Sequence, residues 1–174
     1  VDNLNSIFVF DGVSNSEDGK SASLLAAEII SKEYKKLIFG SDLEIKQFLK
    51  SLNDLISNQS NGATTIAGFV LSESNIKVIN MGDSKIYRIR EGMIKKLTID
   101  DTYYEYLKSI KSENFEEYKN SHIITSCLGM KSGFDIDNIH LKEIDFGIME
   151  KDIFIVCTDG VSDLIKEEEL LNTI

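Results

Sequence analysis

The sequence predicts an α+β domain in which helices pack over antiparallel β-structure. Short apolar runs of strand-forming residues occur near both ends of the chain, at residues 7–10 and 153–157. Two amphipathic helical segments follow the first run, and a series of short strands separated by tight turns follows the helices. Tight turns between consecutive strands indicate antiparallel pairing, and two adjacent amphipathic helices are expected to pack together over a sheet.

Both apolar runs end in the dipeptide Asp-Gly. Ile7 to Phe10 lead into Asp11-Gly12, and Ile153 to Cys157 lead through Thr158 into Asp159-Gly160. Such runs are typical of strands buried on both faces, in a sandwich or in a parallel sheet. Asp-Gly is also a common turn sequence, so either dipeptide alone indicates only a turn. Two buried strands that each deliver Asp-Gly at one end, however, could set two carboxylates facing each other.

The two helical segments have regular apolar faces. The first spans Ser21 to Ile38. Its apolar residues recur every four positions: Ala22, Ala26, Ile30, Tyr34 and Ile38. The second begins at Ser41, which has capping-box spacing to Glu44. Its apolar stripe comprises Ile45, Phe48, Leu49, Leu52, Leu55 and Ile56. Stripes of this kind are typical of helices packed on a core, and we interpret both as structural.

Two further carboxylates lie at predicted turns. Strands are predicted at residues 64–71, 76–81, 85–90 and 93–97, and Gly82-Asp83-Ser84 connects the second of these to the third. An ordinary turn also explains Asp83. Asp163 follows Asp159 by four residues, so that one helical turn would bring the two carboxylates together. Converging carboxylates at strand ends can hold a hard cation such as Mg²⁺ or Mn²⁺.

The segment between the strand series and the last apolar run is less regular. Tyr103 to Ser121 are polar and aromatic, and we interpret them as a surface flap with some helical character. Ile139 to Ile144 alternate in polarity as a half-buried strand does.

A nucleotide-binding site is a weaker alternative. The strand, loop, Gly19-Lys20-Ser21 and helix resemble a phosphate-binding loop, but that motif needs a glycine at position 14, where this chain has Ser14. Asp11, Glu17 and Asp18 would also repel a nucleotide's phosphates unless a metal ion intervened.

Composition excludes several classes of function. The chain has 174 residues and a net charge of −10, which suits one domain spanning residues 1–174 and argues against a nucleic-acid partner. No apolar run reaches the length of a membrane span. The sequence starts at Val1 rather than at an initiator methionine, which indicates a fragment or a processed product.

The cysteines and histidines show no metal-ligand spacing. Cys127 and Cys157 lie in apolar contexts, and we expect free buried thiols in a reducing compartment, the cytoplasm. His122 and His140 are the only histidines. Each lies next to a strand-like run without a nearby ligand partner, and we expect structural roles for both.

Four segments taken together resemble a known family. They read V-F-D-G (9–12), G-A-T-T (62–65), N-M-G-D-S-K-I-Y (80–87) with L-T-I-D-D-T (97–102), and C-T-D-G-V-S-D (157–163). In order and spacing they resemble the PPM, or type 2C, family of metal-dependent serine/threonine protein phosphatases, in its bacterial form. The resemblance implies a sandwich of two antiparallel sheets flanked by helices, in four α-β-β-α layers, with a two-metal site at one end.

The resemblance also implies roles for particular residues. Asp11 resembles the carboxylate that bridges the two catalytic Mn²⁺ or Mg²⁺ ions, Gly12 the backbone carbonyl ligand, and Asp159 a ligand of the other ion; Asp11 and Asp159 are thus the catalytic pair. Asp83 and Asp163, with Asp159, match positions that hold a third ion in many members. The implied reaction is hydrolysis of phosphoserine or phosphothreonine in a protein substrate by a metal-activated water. No membrane partner is implied, and we expect a monomer.

The chain also departs from the family pattern. Residues 1–174 lack the family's N-terminal strand, which carries a phosphate-binding arginine and an acidic pair. They also lack the family's closing Asp-Asn motif, so we expect truncation at both ends. The family continues after Asp-Gly with His or Met and two glycines, where this chain has Val13-Ser14-Asn15. Asp101 stands where the family usually has His. These departures leave open a catalytically impaired module used for binding or regulation, and we expect weak hydrolysis by this chain as given.

Overall fold

The computed structural model describes residues 6–72, 75–119, 121–145 and 152–173. The strands are β1 (Ser6–Val9), β2 (Ile66–Leu71), β3 (Asn75–Met81), β4 (Lys85–Arg90), β5 (Met93–Lys96), β6 (His140–Asp145) and β7 (Ile153–Cys157). The α-helices are α1 (Gly19–Phe39), α2 (Asp42–Gln59), α3 (Tyr103–Ser109), α4 (Asp159–Ser162) and α5 (Glu167–Thr173).

The described strands form two sheets in which every pair is antiparallel. The first sheet has the order β1-β2-β3-β6, and the second has the order β5-β4-β7. The two apolar runs were also compatible with a parallel sheet, and this alternative is excluded for these strands. The short connections from β2 to β3 and from β4 to β5 impose this pairing within each sheet, because each strand reverses directly into the next. The prediction that β3 and β4 also pair is wrong, because the connection between them carries the chain from the first sheet to the second.

Helices α1 and α2 cover the outer face of the first sheet. Asp18 caps α1 by accepting a hydrogen bond from the Ser21 backbone N–H at 3.0 Å. The predicted capping box of Ser41 and Glu44 is present at the start of α2. The apolar faces of both helices pack on residues of β2 and β3 such as Ile66 and Ile79, as the stripes predict.

A second apolar layer lies between the two sheets. Its buried residues are Ala67, Phe69, Ile76, Val78, Ile86 and Leu97. On the far side of the second sheet, Leu170 of α5 packs on Tyr87 and Cys157. The predicted four-layer α-β-β-α sandwich of two antiparallel sheets is thus confirmed.

The two apolar runs that end in Asp-Gly are less buried than their composition suggests. Ile7 is 37% exposed and Ile153 is 39% exposed. The prediction that both strands are buried on both faces is wrong, because β1 and β7 each lie at the edge of the described part of their sheet. An edge strand has a neighbour on one side only, and solvent reaches its other side.

The predicted flap, Tyr103 to Ser121, contains α3 and a short 3₁₀ helix at Phe115–Tyr118; residue 120 lies outside the described residues. The chain then passes through residues 121–126, called here the return segment. Tyr103 N–H donates to the carbonyl of Ile123 at 2.8 Å, which fixes the return segment against the start of α3. None of the helices that the structure describes is both long and apolar enough to cross a membrane.

Candidate metal centre

Asp11 is held in place by the segment before β2. Thr65 N–H donates to the Asp11 carbonyl at 2.8 Å, and the Asp11 N–H donates to the Thr65 side-chain oxygen at 3.1 Å. The Thr64 hydroxyl donates to the same carbonyl at 3.0 Å. These contacts continue the β1–β2 register beyond β1, so Asp11 lies in an extended segment paired with the chain before β2 and not in the turn that the Asp-Gly sequence alone indicates.

Gly12 occupies a position at which only a glycine fits. A Cβ atom there would lie 2.5 Å from the backbone carbon and oxygen of Gly19, at the start of α1. Gly12 pairs with Thr64, but the hydrogen bonds of this pair are made by the flanking residues Asp11 and Val13. In antiparallel pairing such a residue directs its own carbonyl away from its partner. The Gly12 carbonyl is thus available to a ligand on that side.

Asp159 and Asp163 lie on one helical turn. Asp159 opens α4 directly after β7, and the Asp163 N–H donates to the Asp159 carbonyl at 2.9 Å. Lys85 ties this turn to the second sheet, because its ammonium group donates to the Ser162 hydroxyl at 2.9 Å and to the Asp83 carbonyl at 3.2 Å. The predicted helical turn between the two aspartates is therefore present.

Asp83 lies in the tight connection from β3 to β4, which joins the two sheets. Gly82 before it has φ +105°, and a Cβ there would also meet the Thr65 side chain at 2.7 Å. The hydroxyl groups of Ser84 and Thr65 are hydrogen-bonded at 2.7 Å. Thr65 therefore links the Asp11 backbone to the turn that carries Asp83.

Burial and neighbouring charge destabilise the ionised forms of Asp11 and Asp83. Burial raises the pKa of Asp11 to about 6, with further increases from its hydrogen bond to Asp159 and from the charges of Asp159 and Asp83. Burial, followed by the charge of Asp159, also raises the pKa of Asp83, which is 6% exposed. Two carboxyl groups that share a site raise the pKa of at least one of them. This donor set of carboxylates and a carbonyl fits a hard divalent cation.

The carboxylates open into a cavity of about 290 Å³, called here the first cavity. It is lined by Asp11, Gly12, Val13, Ser14, Asn15, Thr65, Asp83, Ser121, His122, Ile124 and Asp159. Asp163 lies instead on a neighbouring second cavity of about 240 Å³, which also contacts Asp83, Ser121 and His122. Four of the five residues suggested as metal ligands thus share one cavity, and the fifth lies beside it.

Sequence reasoning gave His122 only a structural role and no ligand partner. In the structure its Nδ1 lies 3.2 Å from an Asp163 carboxylate oxygen, and its ring contacts both cavities. Spacing along the chain could not reveal this, because the contact joins residues 41 positions apart.

The other predicted structural residues keep that role. His140 Nε2 lies 2.8 Å from one oxygen of Asp101, whose other oxygen accepts from the Gly82 N–H at 2.8 Å. Asp101 thereby supports the turn that carries Asp83. Cys127 and Cys157 are both free and buried, as predicted. Burial raises the pKa of Cys127 to about 11, so its thiol stays protonated at neutral pH.

Comparison with known proteins places the chain in a family. The profile of the family described as protein phosphatase 2C matches residues 1–174. The chain therefore belongs to the protein phosphatase 2C family, and the recognition made from its motifs is confirmed.

The chain is also similar in sequence to named relatives and in fold to solved structures. The chain is 23% identical over 184 residues to the serine/threonine phosphatase stp of Listeria monocytogenes, covering 97% of this chain and 71% of the relative. The solved Mycobacterium tuberculosis serine/threonine phosphatase PstP superposes with a TM-score of 0.76 at 20% identity, covering 97% of this chain and 74% of that one. The catalytic domain of PstP, solved in complex with two manganese ions, gives a TM-score of 0.76 at 21% identity, covering 97% and 73%.

Proposed function

We propose that this chain is a Mn²⁺- or Mg²⁺-dependent phosphatase that removes phosphate from phosphoserine and phosphothreonine in proteins. Family membership and the names of the Listeria and Mycobacterium relatives support the reaction class. The observation that carries the proposal is the convergence of Asp11 and Asp159 from two different sheets into one cavity, where burial raises the pKa of Asp11 to about 6.

This geometry and the family pattern support a set of residues that would hold the metal ions. Asp11 would bridge two ions, the Gly12 carbonyl would bind one of them and Asp159 the other. Asp83 and Asp163, together with Asp159, would hold a third. When bound, the metal pair lowers the pKa of the attacking water and offsets the charge on the phosphoryl oxygens.

The protein's own contribution is to fix these oxygens before the substrate arrives. Thr65 contacts the backbone of Asp11 and the side chain of Ser84, so that the strand end and the β3–β4 turn cannot move independently. Lys85 restrains α4 in the same way. Preorganised charges of this kind favour the transition state because they need no reorganisation during the reaction.

A second candidate is a module that keeps the fold for binding or regulation. The observation that favours it is the loop Val13-Ser14-Asn15, which lines the first cavity with residues atypical of the family. The nucleotide-binding alternative is less favoured, because the Asp18 carboxylate caps the N-terminus of α1, where a phosphate would have to bind.

The experiment is a measurement of Mn²⁺ binding and of Mn²⁺-dependent phosphate release from a phosphothreonine peptide. Asp11→Asn and Asp159→Asn are each expected to lower turnover at least about 100-fold, as when one charge-stabilising group leaves a preorganised site. Asp54→Asn is the control, because Asp54 forms an exposed ion pair with Lys50 on α2. Turnover that survives Asp11→Asn would place the chemistry elsewhere, and Mn²⁺ binding without turnover would favour the binding module.

We also propose that residues 1–174 form one monomeric domain that acts in the cytoplasm on phosphorylated proteins. The free thiols of Cys127 and Cys157 support a reducing compartment. The net charge of −10 supports a protein rather than a nucleic-acid partner.

A further inference from the structure

The return segment brings a nitrogen ligand to the edge of the carboxylate cluster. One ligand atom from each of His122, Asp159 and Asp163 lies within 4.8 Å of the other two. Within this group, His122 Nδ1 and an Asp163 carboxylate oxygen are 3.2 Å apart. The ligands suggested by the family pattern are all oxygens, so His122 would add a different donor.

Backbone contacts hold the imidazole at this place. His122 has φ +48°, a left-handed conformation that is uncommon for residues with a side chain. The chain on its C-terminal side is fixed by two hydrogen bonds of 2.8 Å, from Tyr103 N–H to Ile123 and from Thr125 N–H to Asp101. These hydrogen bonds of the return segment hold the His122 ring next to α4.

Small side-chain rotations would bring all three groups within reach of one ion. Zn²⁺ binds imidazole nitrogen and carboxylate oxygen at about 2.0–2.2 Å, which places two ligand atoms of one ion about 3 Å apart. His122 and Asp163 already have this separation. Their side chains are 58% and 40% exposed, so both can rotate to close the remaining distance to Asp159.

A plain ion pair accounts for only part of this arrangement. An exposed His–Asp pair stabilises a protein very little, and it does not involve Asp159. Asp159 also hydrogen-bonds to Asp11 in the main centre. An ion held by His122, Asp159 and Asp163 would therefore join the return segment to that centre.

We propose that His122, Asp159 and Asp163 form a mixed nitrogen–oxygen site that binds a transition-metal ion such as Zn²⁺ or Mn²⁺ in preference to Mg²⁺. Imidazole nitrogen is a good ligand for zinc and related ions, whereas Mg²⁺ prefers oxygen donors. The inference rests on the proposed function, because it extends the same metal centre towards the flap. Occupation of the site fixes the return segment against α4.

The test follows the nitrogen atoms of the two imidazoles by NMR while Zn²⁺ is added to the chain without a histidine tag. The His122 nitrogens are expected to shift at low Zn²⁺ concentrations, and an equal concentration of Mg²⁺ is expected to leave them unchanged. His140 serves as the internal control, because its ring lies against Asp101 outside the cluster. An unshifted His122, or equal shifts of both histidines, would overturn the proposal.

Calorimetry of Zn²⁺ and Mg²⁺ binding provides the second measurement. His122→Asn suits it, because asparagine tolerates a left-handed φ better than most residues. The variant is expected to lose Zn²⁺ affinity at least about tenfold, since even residues that only support a ligand contribute 10- to 100-fold, and to keep its Mg²⁺ affinity. Asp137→Asn, at an exposed position away from the cluster, is the control. Zn²⁺ affinity that survives His122→Asn would refute the site, whereas a chain that shows the His122 shift but no phosphate release would count against the proposed function alone.

Discussion

The two Asp-Gly dipeptides of this molecule have opposite surroundings. Asp11-Gly12 continues an antiparallel ladder, and its glycine packs against the backbone of Gly19 so closely that a Cβ would lie at 2.5 Å. Asp159-Gly160 begins α4, and a Cβ on Gly160 would meet its nearest neighbour, the Thr158 hydroxyl oxygen, at 3.7 Å. In both cases the aspartate reaches the same cavity.

This difference separates the function of the aspartates from that of the glycines. Both aspartates place a carboxylate at a strand end, and this depends only on where the strand stops. Gly12 additionally lets α1 start directly beside the metal centre, which a larger residue would prevent. In the part of the chain that the structure describes, Gly160 has no such neighbour. The same Asp-Gly sequence therefore requires a glycine for packing at Gly12 but not at Gly160.

Gly12→Ala is expected to produce the largest effect. The new methyl group would overlap the Gly19 backbone, which cannot rotate away as a side chain can, so the unfolding free energy should fall by about 3 kcal/mol. Denaturant unfolding monitored by circular dichroism measures this change. A loss below about 0.5 kcal/mol, the size of an ordinary surface substitution, would show that α1 can move away from Gly12 without cost.

Asp11→Asn is expected to have a smaller effect that depends on pH. The pKa of Asp11 is about 6 in the folded chain, against 3.8 without its surroundings, so the folded state favours the protonated form. The contribution of Asp11 to stability therefore falls as the pH rises from about 4 to about 6 and stays low above that range. In metal-free protein, Asp11→Asn should raise the unfolding free energy at pH 8 by on the order of 1 kcal/mol after allowance for solvent screening, and by less at pH 4.

Asp159→Asn provides the matched test at the other dipeptide. It removes the same repulsion from Asp11, so the two substitutions together should stabilise the metal-free protein by less than the sum of their separate effects. Thermal unfolding of the single and double variants at pH 4 and pH 8, without and with Mn²⁺, measures these changes in stability. Equal destabilisation by Asp11→Asn at both pH values would mean that its main role is structural.

The sequence predicted the fold well because its signals are local. The four-residue repeat of the first helix, the Ser41–Glu44 capping box and the Gly82–Ser84 turn each specify their element within a few residues, and each is present in the structure. Antiparallel pairing followed from the short turns between β2 and β3 and between β4 and β5, whereas the Gly82–Ser84 turn joins two sheets and pairs no strands. The convergence of Asp11 and Asp159 was also predicted, because both follow strands and the family pattern relates those strands.

Contacts between distant segments were not predictable in this way. The continuous apolar runs of β1 and β7 do not indicate which strands become sheet edges, so the burial of these two strands was overestimated. His122 and Asp163 meet only because the return segment lies against α4. The glycine of Asp11-Gly12 was interpreted through its carbonyl alone, since the approach of Gly19 depends on how the intervening loop closes.

Gly160→Ala is expected to have the smallest effect, and its sign should be opposite to that of Gly12→Ala. Gly160 is exposed in the first turn of α4, and among the described residues a Cβ there would meet only the Thr158 hydroxyl oxygen, at an ordinary contact distance. Alanine restricts the unfolded chain more than glycine does and favours the helix, so the variant should be unchanged or more stable by up to about 0.5 kcal/mol. The same denaturant unfolding experiment measures this change beside that of Gly12→Ala.

Because Gly160 lies between Asp159 and Asp163 in the sequence, Mn²⁺ affinity should be measured as well and should not change. A loss of stability as large as that of Gly12→Ala would mean that the two dipeptides share a backbone requirement after all, and that the contrast between a packed and an open glycine does not explain their conformations.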